Sequence, residues 1–325
     1  AGDAPRLLKW QPGPAGQHIE LGISEMNLFM LLGQLGLSAE MNGQPFLPVG
    51  TVYDPFICRG LDALIYGVYQ AAKFVFAGTP SGISLSPEGG AHQSTVTPSL
   101  GIELPNLTAY EPAFAREVEW CLLDGLRRCC DRERGDATYL RLSTKPVEQA
   151  LLEPALARLG ADELRRQVLA GGYRLVEPPA DLAGAPLVPI ATAGALVPEA
   201  VEAARTLHEE GVAALVLNVT SAQRLYRSLS VARRGHVRGA TVGPDAGHLA
   251  TLLRPEERRS PIVTALDGAS HTLAFLGAAF GVPVVPLGVD HFGQTGARAE
   301  LYREELIDAE SIVNAALLAL ELGEA

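Results

Sequence analysis

The stretch Gly16-Gln-His-Ile-Glu-Leu-Gly-Ile-Ser-Glu-Met-Asn27 divides a Gly- and Pro-rich lead-in from a run in which Met26, Phe29, Met30, Leu32, Leu35 and Leu37 recur at roughly helical spacing. The pattern predicts a helix over 23–40. Leu28 and Leu31 add apolar surface on other faces, so the helix is expected to be well buried. Glu25 falls in its first turn, where a carboxylate meets the positive end of the helix dipole. A first-turn acid needs no further reason than that, and only the sequence beyond it gives this one a chemical reading.

Outward from this helix the chain alternates between short apolar runs and amphipathic stripes. Strands are expected at 46–53, 73–78, 106–110 and 137–143, with helices at 59–72 and from Pro112 to near Gly135. A second series places strands at 187–193, 213–219, 261–266 and 282–288, and helices at 198–210, 222–233, 271–280 and 310–322. Residues 237–260 read as irregular and polar. Between the two series lie a helical connector, a Gly171-Gly172 turn and a Pro-rich loop at 177–179. Alternation of this kind predicts an α/β protein with two open, mostly parallel sheets covered on both faces. The expected domains are 1–150 and 185–325, joined by a linker over 151–184.

Composition agrees with two packed units. At 325 residues the chain has room for two domains of roughly 150 residues. Its 47% apolar and 19% charged content excludes global disorder. No apolar run reaches the roughly 20 residues of a membrane span, and the start lacks a signal-peptide layout. A formal charge of −11 without a basic stripe argues against nucleic acid as a partner, though it leaves room for a local anionic ligand. Cys58, Cys121, Cys129 and Cys130 fit neither a disulfide framework nor a CxxC metal pattern, which points to a reducing cytoplasm. The chain starts at Ala1 without methionine, as a cleaved or partial product would.

Several chemistries fall away. There is no GxxxxGK[ST] phosphate loop, no GxGxxG after a strand and no HExxH. Asp267 with His271, and Asp290 beside His291, are too close in sequence to form a hydrolase triad by themselves. What remains is Thr79-Pro-Ser-Gly-Ile-Ser-Leu-Ser-Pro-Glu-Gly-Gly-Ala-His-Gln93, which follows an expected strand and carries Glu88 and His92 four residues apart. It can be an ordinary connecting loop or, at the end of a parallel strand, a ligand-bearing one.

The order Gly22-Ile-Ser-Glu25, Tyr53-x-x-Phe56 and Glu88-Gly-Gly-Ala-His-Gln93 resembles the pyrimidine-binding domain of thiamine-diphosphate enzymes, in the branch of transketolases and homodimeric pyruvate dehydrogenase E1 components. The likeness continues through Thr108-Ala-Tyr-Glu-Pro-Ala113 and Val219-Thr-Ser221. It ends in Gly288-Val-Asp-His-Phe-Gly-Gln-Thr-Gly296, which is similar to the GxDxFGxSG signature of the transketolase C-terminal domain, with Thr295 in place of Ser. The resemblance implies that Glu25 faces the cofactor's aminopyrimidine and shares a proton with it. Phe56 would stack on that ring and Tyr53 line the pocket. His92 would handle protons on the substrate adduct, with Glu88 fixing its position or tautomer. It further implies decarboxylation of a 2-oxo acid, pyruvate foremost, and transfer of the acyl unit to a lipoyl-bearing acyltransferase.

The same resemblance exposes a gap. Diphosphate and Mg are held in that family by a GDG…N motif in a preceding domain, and no GDG occurs here: Gly2-Asp3-Ala4 and Gly135-Asp136-Ala137 lack the second glycine, Asp267-Gly268 the first. The chain is therefore expected to be the C-terminal part of a longer E1-like polypeptide, or a β-type subunit with an α partner, in either case a homodimer holding half of each site and no metal ligands of its own. The missing methionine favours the first. The His92-Gln93 pair is closer to transketolase, which keeps two-carbon transfer open, as is a non-catalytic dimerisation subunit.

Overall fold

The computed structural model describes residues 13–239 and 247–324. Gly2-Asp3-Ala4 lies outside them. Among the described residues nine strands form two sheets. The first comprises β1 (Val49–Val52), β2 (Val75–Gly78), β3 (Leu107–Tyr110) and β4 (Ala137–Arg141), all parallel, in the order β1-β2-β4-β3. The second comprises β5 (Tyr173–Val176), β6 (Leu187–Thr192), β7 (Ala213–Asn218), β8 (Ile262–Ala265) and β9 (Val284–Leu287), in the order β5-β7-β6-β8-β9. Only β5 runs antiparallel to its neighbour. Two mostly parallel sheets with flanking helices are the α/β plan that the alternation predicts. Burial follows sheet position: β4 and β7 are buried at every residue, whereas edge strand β1 alternates exposed and buried. No helix among the described residues is long and apolar enough to cross a membrane.

Differences from the expected elements have local causes. The first helix is Glu25–Gly36, and only one side of it is buried: Phe29 and Leu32 are in the core, but Met26 and Met30 are 38% and 49% exposed. The expectation of a well-buried helix is corrected, because this helix packs mainly on the helix Leu61–Tyr69 and lies at the outer edge of the first sheet. The helix expected from Pro112 starts at Ala115, since the Glu117 carboxylate accepts the N–H groups of Ala113 and Phe114 at 2.8 and 3.1 Å and fixes the first turn. It stops at Cys130 rather than near Gly135, where Asp131 accepts from the N–H groups of Glu133 and Arg134 and turns the chain.

The connector contains β5, four residues too short to stand out beside a glycine pair. Its Tyr173 and Leu175 are core residues. Within 237–260 the described residues are partly ordered into helix, His248–Leu252, because Leu249, Leu252 and Leu253 close the face beyond β8. The short helices Thr97–Glu103 and Arg298–Glu304 are also additions.

One apolar cluster runs through both halves, joining Val75, Tyr110 and Phe114 of the first to Tyr173, Val188 and Ile190 of the second. Polar side chains finish the junction. Gln223, at the start of the helix Ala222–Val237, accepts from the Ala109 N–H at 3.1 Å and donates to the Leu107 carbonyl, so a side-chain amide closes the free edge of β3. Glu117 also accepts from the Asn218 amide at 2.9 Å, tying the first domain to the end of β7.

Two outcomes follow from this junction. Gln223→Ala leaves buried edge groups of β3 unpaired and should cost about 1–3 kcal/mol, read from the midpoint of urea unfolding. Burial pushes Glu117 from 4.5 up to about 7, against the pull of its backbone hydrogen bonds. The unfolded chain therefore gives up this proton first, and stability falls as pH rises between those values and levels off above them. Urea midpoints at pH 5 and 8 should differ more in the wild type than in Glu117→Gln; equal differences would exclude this contribution.

Candidate active site

The carboxyl ends of β1 and β2 deliver the residues that the sequence marks. Past β1 the chain enters the 3-10 segment Asp54–Gly60, opened by Pro55, and this tight turn sets Tyr53 and Phe56 side by side with ring centroids 5.9 Å apart. The buried side chains of Asp54 and Ile57 anchor it from beneath. Past β2 the loop brings His92 edge-on to both rings, 5.3 Å from Phe56 and 6.1 Å from Tyr53. Glu25 opens its helix on the other side. Its carboxylate lies 3.5 Å from the Arg59 guanidinium, whose carbon sits 3.8 Å above the centre of the Phe56 ring. Tyr53, Phe56 and His92 thus form one contact cluster, which Glu25 joins through Arg59, an unforeseen member.

Glu88 is the exception. It is exposed, and it makes no hydrogen bond to His92. The Nδ1 atom of His92 is buried and has no partner. The support expected from Glu88 is absent, and the imidazole instead presents an unsatisfied polar atom among aromatic rings, where such an atom is costly unless a ligand completes it.

Beneath the cleft lies a group of charges that motif spacing does not reveal. Arg141 ends β4 with 2% of its side chain exposed. Its Nε donates to Asp54 at 3.2 Å, one amino group pairs with Glu111, and the other donates to the Asp267 carbonyl at 2.7 Å and the Ser94 carbonyl at 3.2 Å. Asp54, wholly buried, also accepts from the hydroxyls of Ser94, Thr97 and Tyr139. Burial works against the Arg141 cation, and the carboxylates of Glu111 and Asp54 more than offset it, so its pKa is raised. Burial pushes Glu111 up to about 7, countered in part by Arg141. Burial likewise raises Asp267. The available sign of this network was the set of charged residues at strand ends, Asp54 after β1, Glu111 after β3, Arg141 ending β4 and Asp267 after β8.

Asp267 reaches further. Its carboxylate accepts the N–H groups of Ile83 and Ser84 at 2.8 and 3.1 Å, so the second domain grips the start of the His92 loop. Gly82 lies directly against that carboxylate at φ 68°, a conformation and a contact that admit no side chain. At the other end of the loop the Gln93 amide donates to the Gln294 carbonyl at 2.9 Å and the Ser86 carbonyl at 3.2 Å, and Gly90 abuts the Gly293 backbone. The Glu88–Gln93 loop and the 288–296 run, separate in sequence, are packed together.

Asp267→Ala should free both loop amides. Hydrogen exchange at Ile83 and Ser84 is expected to quicken by about 10–100-fold while the amides of β7 keep their protection.

Comparisons with known proteins fall on the same division. Residues 4–148 match the family model of the pyruvate dehydrogenase E1 component middle domain, and residues 171–308 that of the transketolase-like C-terminal domain. The pyruvate dehydrogenase E1 component of Pseudomonas aeruginosa is 26% identical over 327 residues, covering 98% of this chain and 35% of that protein. Transketolase from Leishmania mexicana superposes with a TM-score of 0.69 at 19% identity, over 93% of this chain and 37% of its own. A solved chain described as a split gene transketolase, inactive beta4 tetramer, gives 0.65 at 22% identity, over 93% of this chain and 84% of its own. The chain spans about a third of the length of the curated relatives it matches. The first half of the chain is thus similar to the pyruvate dehydrogenase E1 middle domain and the second half to the transketolase-like C-terminal domain.

Proposed function

We propose that this chain supplies the pyrimidine-facing half of a thiamine-diphosphate-dependent 2-oxo acid dehydrogenase E1, acting on pyruvate and passing the acyl unit to a lipoyl carrier. The observation that carries the reading is the clustering of Glu25, Tyr53, Phe56 and His92, from three separate stretches, around Arg59 and the Phe56 ring. The donor set suits the cofactor. The Glu25 carboxylate and the Phe56 face already hold a flat, N–H-bearing group in the form of Arg59, and an aminopyrimidine asks for the same two contacts.

When bound, the cofactor would supply the carbon nucleophile and the electron sink for decarboxylation. Glu25 would hold a proton at its carboxyl oxygen toward the ring, Phe56 would stack on it, and Tyr53 would wall the pocket against water. His92, with Nδ1 free, would carry or release a proton on the substrate side. Glu88, exposed at the rim, is proposed to act on His92 only after the loop is covered.

Diphosphate and Mg would be held by a diphosphate-binding domain or α subunit outside this chain. A covering partner, including a second copy in a homodimer, is supported by exposed Ile65, Tyr66 and Tyr69 on the helix beside the cleft. Four unpaired cysteines support a cytoplasmic setting. The His92-Gln93 pair favours a second reading, transketolase-type two-carbon transfer. Release of CO₂ from pyruvate, set against two-carbon transfer to an aldose, separates the two.

With the diphosphate-binding part present, Glu25→Ala should lower turnover by about 10²–10⁴. Undiminished turnover would overturn the role given to Glu25.

A further inference from the structure

Arg59 occupies the space between Glu25 and Phe56. Its guanidinium carbon is 3.8 Å from the ring centre, the distance of a stacked group, and its amino nitrogen is 3.5 Å from the carboxylate. A second flat group cannot lie on that face of Phe56 and against that carboxylate while the guanidinium is there. We propose that Arg59 is a self-occluding side chain, a built-in occupant of the Glu25–Phe56 cleft that an incoming aminopyrimidine must displace. The inference rests on the function proposed above and extends it, since nothing in that reading requires a rival for the ring's place.

The chemistry of the two occupants is alike. A guanidinium is planar, delocalised and rimmed with N–H donors, stacks on aromatic faces and pairs with carboxylates. An aminopyrimidine shares the planarity and the rim of donors. Their difference lies in how each is held. The Arg59 side chain is 55% exposed, while that of Glu25 is only 12% exposed. The arginine can therefore leave by rotating its stem into water, where its charge is well solvated, and the carboxylate stays behind as the fixed element. An ion pair so open to solvent is weak, as is a cation–π contact at an exposed site. The occluder is thus displaceable, and it taxes any competitor by the fraction of time it spends in place.

Such a device gives the isolated chain a filled cleft in place of a bare acid beside an exposed ring. It also sets a threshold, because only a ligand with further contacts outside the cleft would evict Arg59 efficiently. Gly60 fixes the backbone end of the stem, since it is buried against the Glu25 carbonyl and the Phe29 ring with no room for a side chain. Only the side chain is free to move.

The test uses the full chain and the neutral fragment 4-amino-2-methylpyrimidine as probe, followed by NMR titration with the Arg59 Nε–H resonance assigned. Arg59→Ala should bind the probe about tenfold more tightly than the wild type, the sum of two weak contacts no longer opposed. On saturating the wild type, the Arg59 Nε–H signal should shift from its probe-free position as the guanidinium leaves the face of the Phe56 ring. Equal or weaker binding by Arg59→Ala would overturn the proposal, as would a signal that stays put at saturation. If both proteins bind the probe equally, the occlusion fails and the cofactor reading stands; if neither binds it, the cofactor reading fails and the occlusion with it.

Discussion

Arg141 lies almost wholly out of water, its guanidinium spread across Asp54, Glu111 and the main-chain oxygens of Asp267 and Ser94. A charge in such a place persists only if every donor finds a partner, and the partners here come from three strand ends and from Ser94 in the loop after β2. The geometry of a planar fork then dictates where those ends stand relative to one another. Asp54 belongs to the turn that presents Tyr53 and Phe56, and Asp267 holds the loop that presents His92. One buried cation therefore ties the aromatic pair to the imidazole through rigid elements on both sides.

Around that centre the two domains share surfaces more than they share a linker. The apolar cluster is continuous between them, Gln223 completes the edge of β3, and Glu117 reaches Asn218. The cleft consequently behaves as a feature of the pair. Its floor is laid by the first sheet, and the loop that forms its wall is held at both ends by residues of the second domain.

Much of this was legible because the relevant signals were local. Apolar runs separated by amphipathic stripes specify parallel α/β units, and burial of β4 and β7 on both faces is what makes those runs continuous. Glu25, Tyr53, Phe56 and His92 could be marked because the short stretches that hold them resemble, in order, those of a known enzyme family. The remainder depended on distance. Arg141 gives no hint in the strand 137–143 that it meets Asp54 and Asp267, residues 87 and 126 positions away. Arg59 escaped notice because an arginine after a turn looks like solvated surface, and only the folded chain shows where its head group rests. β5 was hidden by its length, and the exposure of Met26 and Met30 by the helix's place at the margin of the sheet.

The grip of Asp267 and Gln294 on the loop over 83–93 has a consequence for how such a chain can change over evolutionary time. Neither half can be exchanged for a distant counterpart without releasing the imidazole, because the wall of one is fastened by the other. The two units are bound to be inherited as one.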